Sequence, residues 1–175
     1  MGWFGKMGKC CCFPLAGGCL GGAMFHFMIC ITSIFSTTKD YKNMTIASNA
    51  ILGCLIVLGL LLKNFIVLYI VALFVAFLLG IYIIIFVFLI IALFAANNMP
   101  FQHKLLTALT VLTIVLITAS FLNIYISTCR VIKSGGTGWE YKSYIEIEKE
   151  KERENKEKQN QKKKEDAMLN NDYNA

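Results

Sequence analysis

The chain has 175 residues, of which 57% are hydrophobic, and its formal net charge is +6. This composition is typical of a small membrane protein with several helical spans, and it excludes an ordinary soluble domain. Residues 1–129 contain six lysines and one aspartate, whereas the rest of the chain mixes both signs of charge and is close to neutral. The basic residues are split between membrane flanks and acid-rich runs, so the chain is not predicted to bind nucleic acid.

Three consecutive cysteines, Cys10, Cys11 and Cys12, follow two lysines immediately before the first apolar segment. Cysteines at a cytosolic membrane boundary are candidates for S-palmitoylation, which would add acyl chains beside the helical anchor. Zinc binding is less favoured because adjacent cysteines cannot easily turn their thiolates onto one tetrahedral ion, and reduced thiols are the simplest alternative. Residues 1–14 are therefore predicted to be a cytosolic N-terminus with a cysteine cluster that is a candidate for acylation.

Four apolar stretches predict four membrane-spanning helices, since a bilayer core about 30 Å thick needs roughly 20 apolar residues. The first is interpreted as a retained span, because it is too long for a usual signal segment and no small-residue cleavage site follows it. The central apolar run of about fifty residues carries only Lys63 as a charge, and we interpret it as two spans that turn at this lysine. The predicted membrane domain, 15–129, contains spans at 15–35, 46–62, 65–96 and 105–128.

An even number of spans places both termini on the same side of the membrane. Lysine and arginine are in excess on that side, and the long charged tail is easier to leave in the cytosol than to translocate, so both termini are predicted to be cytosolic. The two loops on the other side are short and contain no cysteine, which excludes a disulfide-bonded extracellular domain. The first of them carries a glycosylation sequon at Asn43, close to the predicted membrane surface.

The first span contains glycines four residues apart, in two overlapping small-xxx-small pairs: Gly17, Gly18, Gly21 and Gly22. This spacing creates a shallow strip on one face of a helix, against which a second helix can pack closely. We expect the second helix to be another span of this chain, with Gly53 and Gly59 in span two as a plausible facing surface. A second copy of the chain is the alternative.

His26 lies near the middle of the first span, where an ionisable group is a candidate proton relay or pH sensor. A relay usually needs a carboxylate, and the four predicted spans contain no aspartate or glutamate. The favoured interpretation is a neutral histidine that is hydrogen-bonded to a polar side chain of another span, such as Asn49, Asn123 or a span-four threonine. No catalytic or phosphate-binding motif occurs in the sequence, so neither an enzyme nor a cofactor is predicted.

The tail, residues 130–175, begins with a glycine-rich segment that is expected to uncouple it from span four. Most of the residues that follow are charged or amide-bearing, without an apolar seam, which predicts disorder or a single charged helix rather than a coiled coil. Tyr144 and Ile147 match the endocytic pattern of a tyrosine followed at plus three by a bulky aliphatic residue. Sorting adaptors bind this pattern as an added strand.

The N-terminal run Cys10-Cys11-Cys12-Phe13-Pro14-Leu15-Ala16-Gly17-Gly18 resembles a signature, Cys-Cys-Cys-Phe-x-Leu-x-x-Gly. The signature occurs in small four-span proteins that are common in arthropods, are similar to the lysosome-associated four-span transmembrane proteins and include septate-junction components. The lysine-containing turn between spans two and three and the tyrosine-rich exit at 123–126 extend the resemblance. The tail lacks the Pro-Pro-x-Tyr motif by which the lysosomal relatives recruit ubiquitin ligases.

The sequence therefore predicts an all-α integral membrane protein, a four-transmembrane-helix bundle with a disordered or single-helix charged C-terminal tail. The resemblance implies a non-enzymatic adaptor or structural component in endolysosomal trafficking or cell junctions, in the plasma membrane or an endolysosomal membrane. Its expected partners are membrane lipids and other membrane proteins or sorting adaptors, and a homo-oligomer is possible. The alternative function is a small transporter or a channel regulatory subunit with His26 as its pH-sensitive group.

Overall fold

The computed structural model describes residues 7–10, 13–35, 42–95 and 100–173, and about 85% of these described residues are helical. The described part of the chain contains five α-helices and one short antiparallel hairpin, in which Lys9 pairs with Pro14 and Cys10 with Phe13. In chain order the elements are β1 (Lys9–Cys10), β2 (Phe13–Pro14), α1 (Leu15–Ile34), α2 (Lys42–Leu61), α3 (Phe65–Ala95), α4 (Phe101–Lys133) and α5 (Tyr144–Tyr173).

Helices α1 to α4 are each long and apolar enough to cross a membrane, which confirms the predicted number of spans among the described residues. Large apolar side chains cover their outer faces; Phe77 and Phe88 of α3, for example, are 66% and 68% exposed. Such a surface is unfavourable in water and is expected where lipid is the solvent. The structure is therefore that of a multi-pass membrane protein.

Local sequence explains where several of these helices begin and end. Pro14 and Pro100, both with extended backbone, precede the first residues of α1 and α4. The predicted turn between α2 and α3 is present: Lys63 has a φ of 49°, and the amide of Asn64 donates to the carbonyl of Gly59 at 3.0 Å. This left-handed cap satisfies carbonyls at the end of α2, and the Asn64 side chain accepts from the amide of Ile66 at the start of α3.

The four spans form a ring in chain order, in which each helix is antiparallel to the one before it and α4 packs back against α1. We call the end where α1 begins and α4 ends the terminal end, and the end where α1 ends and α2 begins the distal end. The buried centre contains residues from all four helices, including Ala23, Ile56, Val71 and Tyr125.

Helices α3 and α4 are much longer than α1 and α2. With a rise of 1.5 Å per residue, the 20 residues of α1 and of α2 span about 30 Å, whereas the 31 of α3 and the 33 of α4 span about 46 and 50 Å. Two of the observed helices also extend beyond the predicted spans 46–62 and 105–128. The physical reason is that an apolar criterion finds where lipid contact ends, whereas a helix continues until its backbone is capped.

The glycine-rich segment before α5 packs against the bundle, so the expectation that it uncouples the tail is wrong. Gly135 and Gly138 have positive φ angles of 86° and 76°, and the carbonyl of Gly138 accepts a hydrogen bond from the amide of Ala16 at 2.8 Å. These contacts turn the chain back beneath α1 and place the first turn of α5 on a small buried cluster: Leu15, Val131 and Ile147.

Candidate functional site

A cavity of about 480 Å³ lies among the four spans, in the middle and distal part of the bundle. Its floor is formed by buried core residues, Leu52, Val75 and Tyr125, and its rim includes the exposed side chains of Met44 and Phe74. Cavities of about 300–1,000 Å³ with mostly apolar walls and a few polar groups are the usual form of a small-molecule site. This cavity is therefore the candidate functional site.

Polar side chains from all four helices line the cavity. Helix α2 contributes three of them on one face, because residues three and four positions apart lie above one another. None of the lining residues that the structure describes is an aspartate, glutamate, lysine or arginine. The polar side chains are His26, Thr45, Ser48, Asn49, Tyr82, Thr118 and Tyr125.

His26 and Asn49 form a hydrogen bond between α1 and α2, with Nδ1 of the histidine 2.8 Å from Oδ1 of the asparagine. Asn49 Nδ2 donates to the carbonyl of Thr45 at 2.9 Å, which fixes the amide so that Oδ1 faces the histidine. His26 must therefore carry its proton on Nδ1, and in the neutral ring Nε2 is a hydrogen-bond acceptor. Asn49 is one of the partners expected from the sequence, whereas pH sensing by His26 stays a prediction.

Tyr125 is fully buried, and its ring stacks on that of Phe121, with centroids 6.2 Å apart. Its hydroxyl contacts α1 at Gly22, and a Cβ on this glycine would overlap the hydroxyl. Within the described residues, Tyr125 Oη and Ser127 Oγ are buried without a hydrogen-bond partner. A buried unpaired hydroxyl costs about 1–3 kcal/mol, so the one on the cavity wall calls for an explanation.

The glycine strip of α1 packs partly against α4, not against α2 as expected. A Cβ on Gly18 would lie 3.1 Å from Ile124 Cγ2, and Gly22 contacts Tyr125. Gly17 instead lies beside β2, and Gly21 has nothing within 4 Å of its Cβ position. The strip therefore packs against α4 at two of its four positions.

The glycines of α2 do not form the facing surface predicted for that strip. A Cβ on Gly53 would lie 2.9 Å from the ring of Phe27, so at this point an aromatic side chain of α1 fills the space. Gly59 faces Leu68 of α3, and its Cβ would lie 2.8 Å from Leu68 Cγ. Each glycine of α2 thus accommodates a bulky residue rather than another glycine.

The acylation candidates lie at the terminal end. Cys10 is half-buried in β1, and its Sγ would lie 3.2 Å from a Cβ on Gly18. Cys11 and Cys12 lie outside the described residues. Asn43, the glycosylation candidate, is exposed in the first turn of α2. Modification of these four residues stays a prediction.

Tyr144 and Ile147 lie in the first turn of α5, so the sorting pattern is helical rather than extended. The Ile147 side chain is only 8% exposed, because it packs against Leu15 and Val131. Tyr144 is half-buried, with the Arg130 guanidinium 5.6 Å from its ring centroid. In this conformation the two side chains that a sorting adaptor would bind are both engaged with the end of the bundle.

The start of α5 carries the glutamate half of a capping box, in which Glu146 accepts from Ser143. The amide of Ser143 donates to Glu146 Oε2 at 2.7 Å, and the Ser143 hydroxyl lies 3.0 Å from the same oxygen. These hydrogen bonds hold the pKa of Glu146 below its ordinary value of 4.5. An ion pair between Lys142 and Glu150, with 2.7 Å between N and O, raises the pKa of Lys142 and braces the next turn.

Most of the cavity is not predictable from the sequence. Tyr125 stands out only as part of a tyrosine-rich segment, and no sequence pattern assigns a function to Thr45, Ser48, Tyr82 or Thr118. One signal was present: the polar residues at 45, 48 and 49 form a single face of an otherwise apolar helix.

No protein-family model matches the chain, and neither does any curated protein or solved structure. The resemblance to small four-span arthropod proteins therefore remains a prediction that rests on the cysteine-rich signature at 10–18. The function has to be argued from the geometry of the bundle, its cavity and α5.

Proposed function

We propose that the protein is a non-enzymatic multi-pass membrane protein that acts as an adaptor or structural component in endolysosomal trafficking or at cell junctions. The observation that carries the proposal is the attachment of α5. This helix has 30 residues and would be about 45 Å long, and its described side chains are exposed from Glu148 to Lys164. A charged arm of this kind, joined to a membrane anchor, offers a surface to a partner protein.

The base of α5 is attached by several contacts. Burial of Ile147 contributes about 1.5–3 kcal/mol by the usual value for a buried aliphatic side chain. Ser134 Oγ lies 3.1 Å from Glu148 Oε1, and the Lys142–Glu150 pair braces the same region. These contacts set the direction in which α5 leaves the bundle, which favours a role in presenting a surface at a defined position.

The terminal end, from which α5 leaves, is proposed to face the cytosol. Lys9, Lys63, Arg130 and Lys133 all lie at this end, and basic residues near span ends are retained on the cytosolic side. In this orientation the predicted acylation sites would lie at the inner leaflet. Tyr144 and Ile147 would face cytosolic sorting adaptors in the plasma membrane or an endolysosomal membrane.

The adaptor proposal is tested by affinity purification from native membranes in a mild detergent. The full chain is compared with a variant that ends at Glu148, which retains Tyr144, Ile147 and the Ser143–Glu146 hydrogen bonds. We expect a complex that binds the exposed part of α5 to co-purify with the full chain and to be lost with the truncated chain, whereas adaptors that recognise Tyr144 and Ile147 should be retained by both. Identical sets of co-purified proteins from both would overturn the proposal. A variant that exchanges Glu152 with Lys156 retains the composition of α5. It tests whether the partner recognises the order of charges along the helix or requires only that the helix is present.

The alternative is a small transporter or channel regulatory subunit, and the observation that favours it is that His26 lines the cavity. The variant His26→Gln keeps a polar side chain but does not titrate. If the alternative is correct, ion or solute flux into proteoliposomes depends on pH with the native chain and loses that dependence in the variant. A flux that is absent from both preparations counts against it.

A further inference from the structure

We propose that the central cavity binds an uncharged membrane lipid with a rigid apolar body and a single hydroxyl group, the chemistry of a sterol. This inference is independent of the adaptor function, because it concerns the inside of the bundle and not α5. It rests on the lack of charge in the cavity wall, on the polar groups at its floor and on the position of its rim.

The wall excludes lipids with charged head groups. The described lining residues carry no carboxylate, ammonium or guanidinium that could pair with a phosphate or an amine. Moving an unpaired charge into such a site costs far more than the cavity's few hydrogen bonds return. A phospholipid head group is therefore a poor occupant, whereas an uncharged head loses only hydrogen bonds that the cavity can replace.

Two polar groups of the cavity wall can form hydrogen bonds with the same lipid hydroxyl. Tyr125 Oη is buried and has no partner in the described part of the chain, and His26 Nε2 is an acceptor in the neutral ring. Gly22, which the tyrosine hydroxyl contacts, precedes His26 by four residues on α1, so the hydroxyl lies beside the backbone about one helical turn from the histidine. Helix α1 covers the tyrosine hydroxyl in this structure, so a lipid hydroxyl that donates to the histidine would accept from the tyrosine once that ring turns toward the cavity.

The rest of the wall favours a rigid body. Aromatic and branched side chains surround the space, and the Phe25 and Phe121 rings, 5.6 Å apart, close it between α1 and α4. A fused-ring molecule loses less conformational freedom on entering such a space than a flexible acyl chain does. The rim residues Met44 and Phe74 are exposed on lipid-facing surface, which gives a path from the bilayer.

The test uses the full chain in phosphatidylcholine nanodiscs with a cholesterol analogue that carries a diazirine in its ring system. We expect photolabelling on peptides that line the cavity, and excess unlabelled cholesterol should reduce it at least about tenfold. Cholestane, which has the same rings without the hydroxyl, should compete at least about ten times less well, because the polar floor would then lose its partner. Equal competition by both, or by diacylglycerol, would overturn the proposal.

Two variants locate the site. Leu78→Trp places bulk in the cavity and should reduce labelling at least about tenfold, whereas Ile84→Trp, on an exposed face of the same helix, should leave it unchanged. Tyr125→Phe removes only the hydroxyl, so the chain should still fold and bind the sterol but lose most of its preference over cholestane. Labelling that Leu78→Trp leaves unchanged would contradict the assignment. A preference over cholestane that Tyr125→Phe leaves unchanged, or labelling that spreads over the lipid-facing surface, would contradict it even if Leu78→Trp folds poorly.

Discussion

The Tyr125 hydroxyl lies so close to Gly22 that a Cβ on the glycine would overlap it. This contact joins α4 to α1 in the buried centre of the bundle, and it depends on the absence of a side chain at position 22. The variant Gly22→Ala should therefore destabilise the bundle by about 1–3 kcal/mol, the usual cost of overpacking a core. Thermal unfolding in detergent, followed by helical circular dichroism, measures the effect.

Gly21→Ala is the matched control, because nothing lies within 4 Å of a Cβ at that position. It should be neutral or stabilising, by up to about 1 kcal/mol, since alanine is the better helix former. The double variant Gly22→Ala with Tyr125→Phe should recover part of the loss. Equal effects of the two alanines, without recovery in the double variant, would show that this contact does not hold the helices together.

The His26–Asn49 hydrogen bond gives a second prediction. Asn49→Leu leaves the donor on His26 Nδ1 without its partner, which should cost about 1–3 kcal/mol. The double variant His26→Leu with Asn49→Leu replaces both partners by apolar groups and should be less destabilised than Asn49→Leu alone. Unfolding of the single and double variants in the same detergent provides the double-mutant cycle. A cycle with no coupling energy would mean that the bond contributes nothing to stability.

Ile147 gives a third prediction, about the attachment of α5. Ile147→Ala removes most of the side chain that packs against Leu15 and Val131, and it should lower the local stability of α5 by about 2–5 kcal/mol. Hydrogen exchange should then be faster along the first turns of α5. The control is Ile145→Ala, at a half-buried position outside the cluster, which should change exchange much less. If exchange in α5 is unaffected by Ile147→Ala, the helix is held by other contacts.

The same contact gives a fourth prediction, for trafficking. Because Tyr144 and Ile147 are engaged in the structure, an adaptor can bind them as a strand only after the first turn of α5 unwinds. Tyr144→Ala should raise the fraction of protein at the cell surface, measured by surface biotinylation, because it removes the recognised side chain. Glu148→Pro should lower that fraction, because the proline opens the helix and leaves Tyr144 and Ile147 unchanged. Unchanged distribution of both variants would rule out this signal.

The sequence predicted features that depend on composition along the chain. The apolar run and its single lysine located the turn at Lys63, and the need of a membrane-embedded histidine for a partner indicated a polar side chain of another span, with Asn49 among the candidates. Features that depend on which helices meet were not predictable. Phe27 fills the space beside Gly53, and Tyr125 reaches Gly22, so the glycine strip packs against α4. Such pairings depend on how individual side chains of two helices pack together, which the spacing of residues along one helix does not predict.

The attachment of α5 to the bundle was not predictable from the sequence for a related reason. Ile147 is a single buried residue beside a charged helix, too short an apolar signal to stand out from the surrounding polar sequence. Its partners, Leu15 and Val131, lie in other segments, and they come together only because the two glycines with positive φ turn the chain beneath α1. A glycine-rich stretch predicts flexibility when it is read alone, but here it provides the left-handed backbone of a tight connection.

The hydrogen bonds from Ser143 to the Glu146 carboxylate give a fifth prediction, for pH. The pKa of Glu146 is lower in the folded helix than in an unfolded chain, so its ionised form stabilises the first turn of α5. The contribution is complete above the ordinary carboxyl pKa of 4.5 and is lost as the pH falls through the lower folded value. The Ser143 amide proton should shift in a nuclear magnetic resonance titration over this acidic range. Glu146→Gln should abolish that shift, and a shift that persists in the variant would assign it to another group.

The different lengths of the spans give a final prediction. A bilayer that matches the 20-residue helices α1 and α2 is too thin for α3, whose apolar length is about 46 Å. The difference must be met by tilt or by local thickening of the lipid, each of which costs free energy. The protein should therefore unfold at a higher temperature in phosphatidylcholine with 22-carbon chains than with 14-carbon chains. Ile91→Lys, on the exposed distal part of α3, should move the optimum to thinner bilayers, whereas Ile91→Ala should not. A stability that is independent of chain length would mean that the distal parts of α3 and α4 are not covered by lipid.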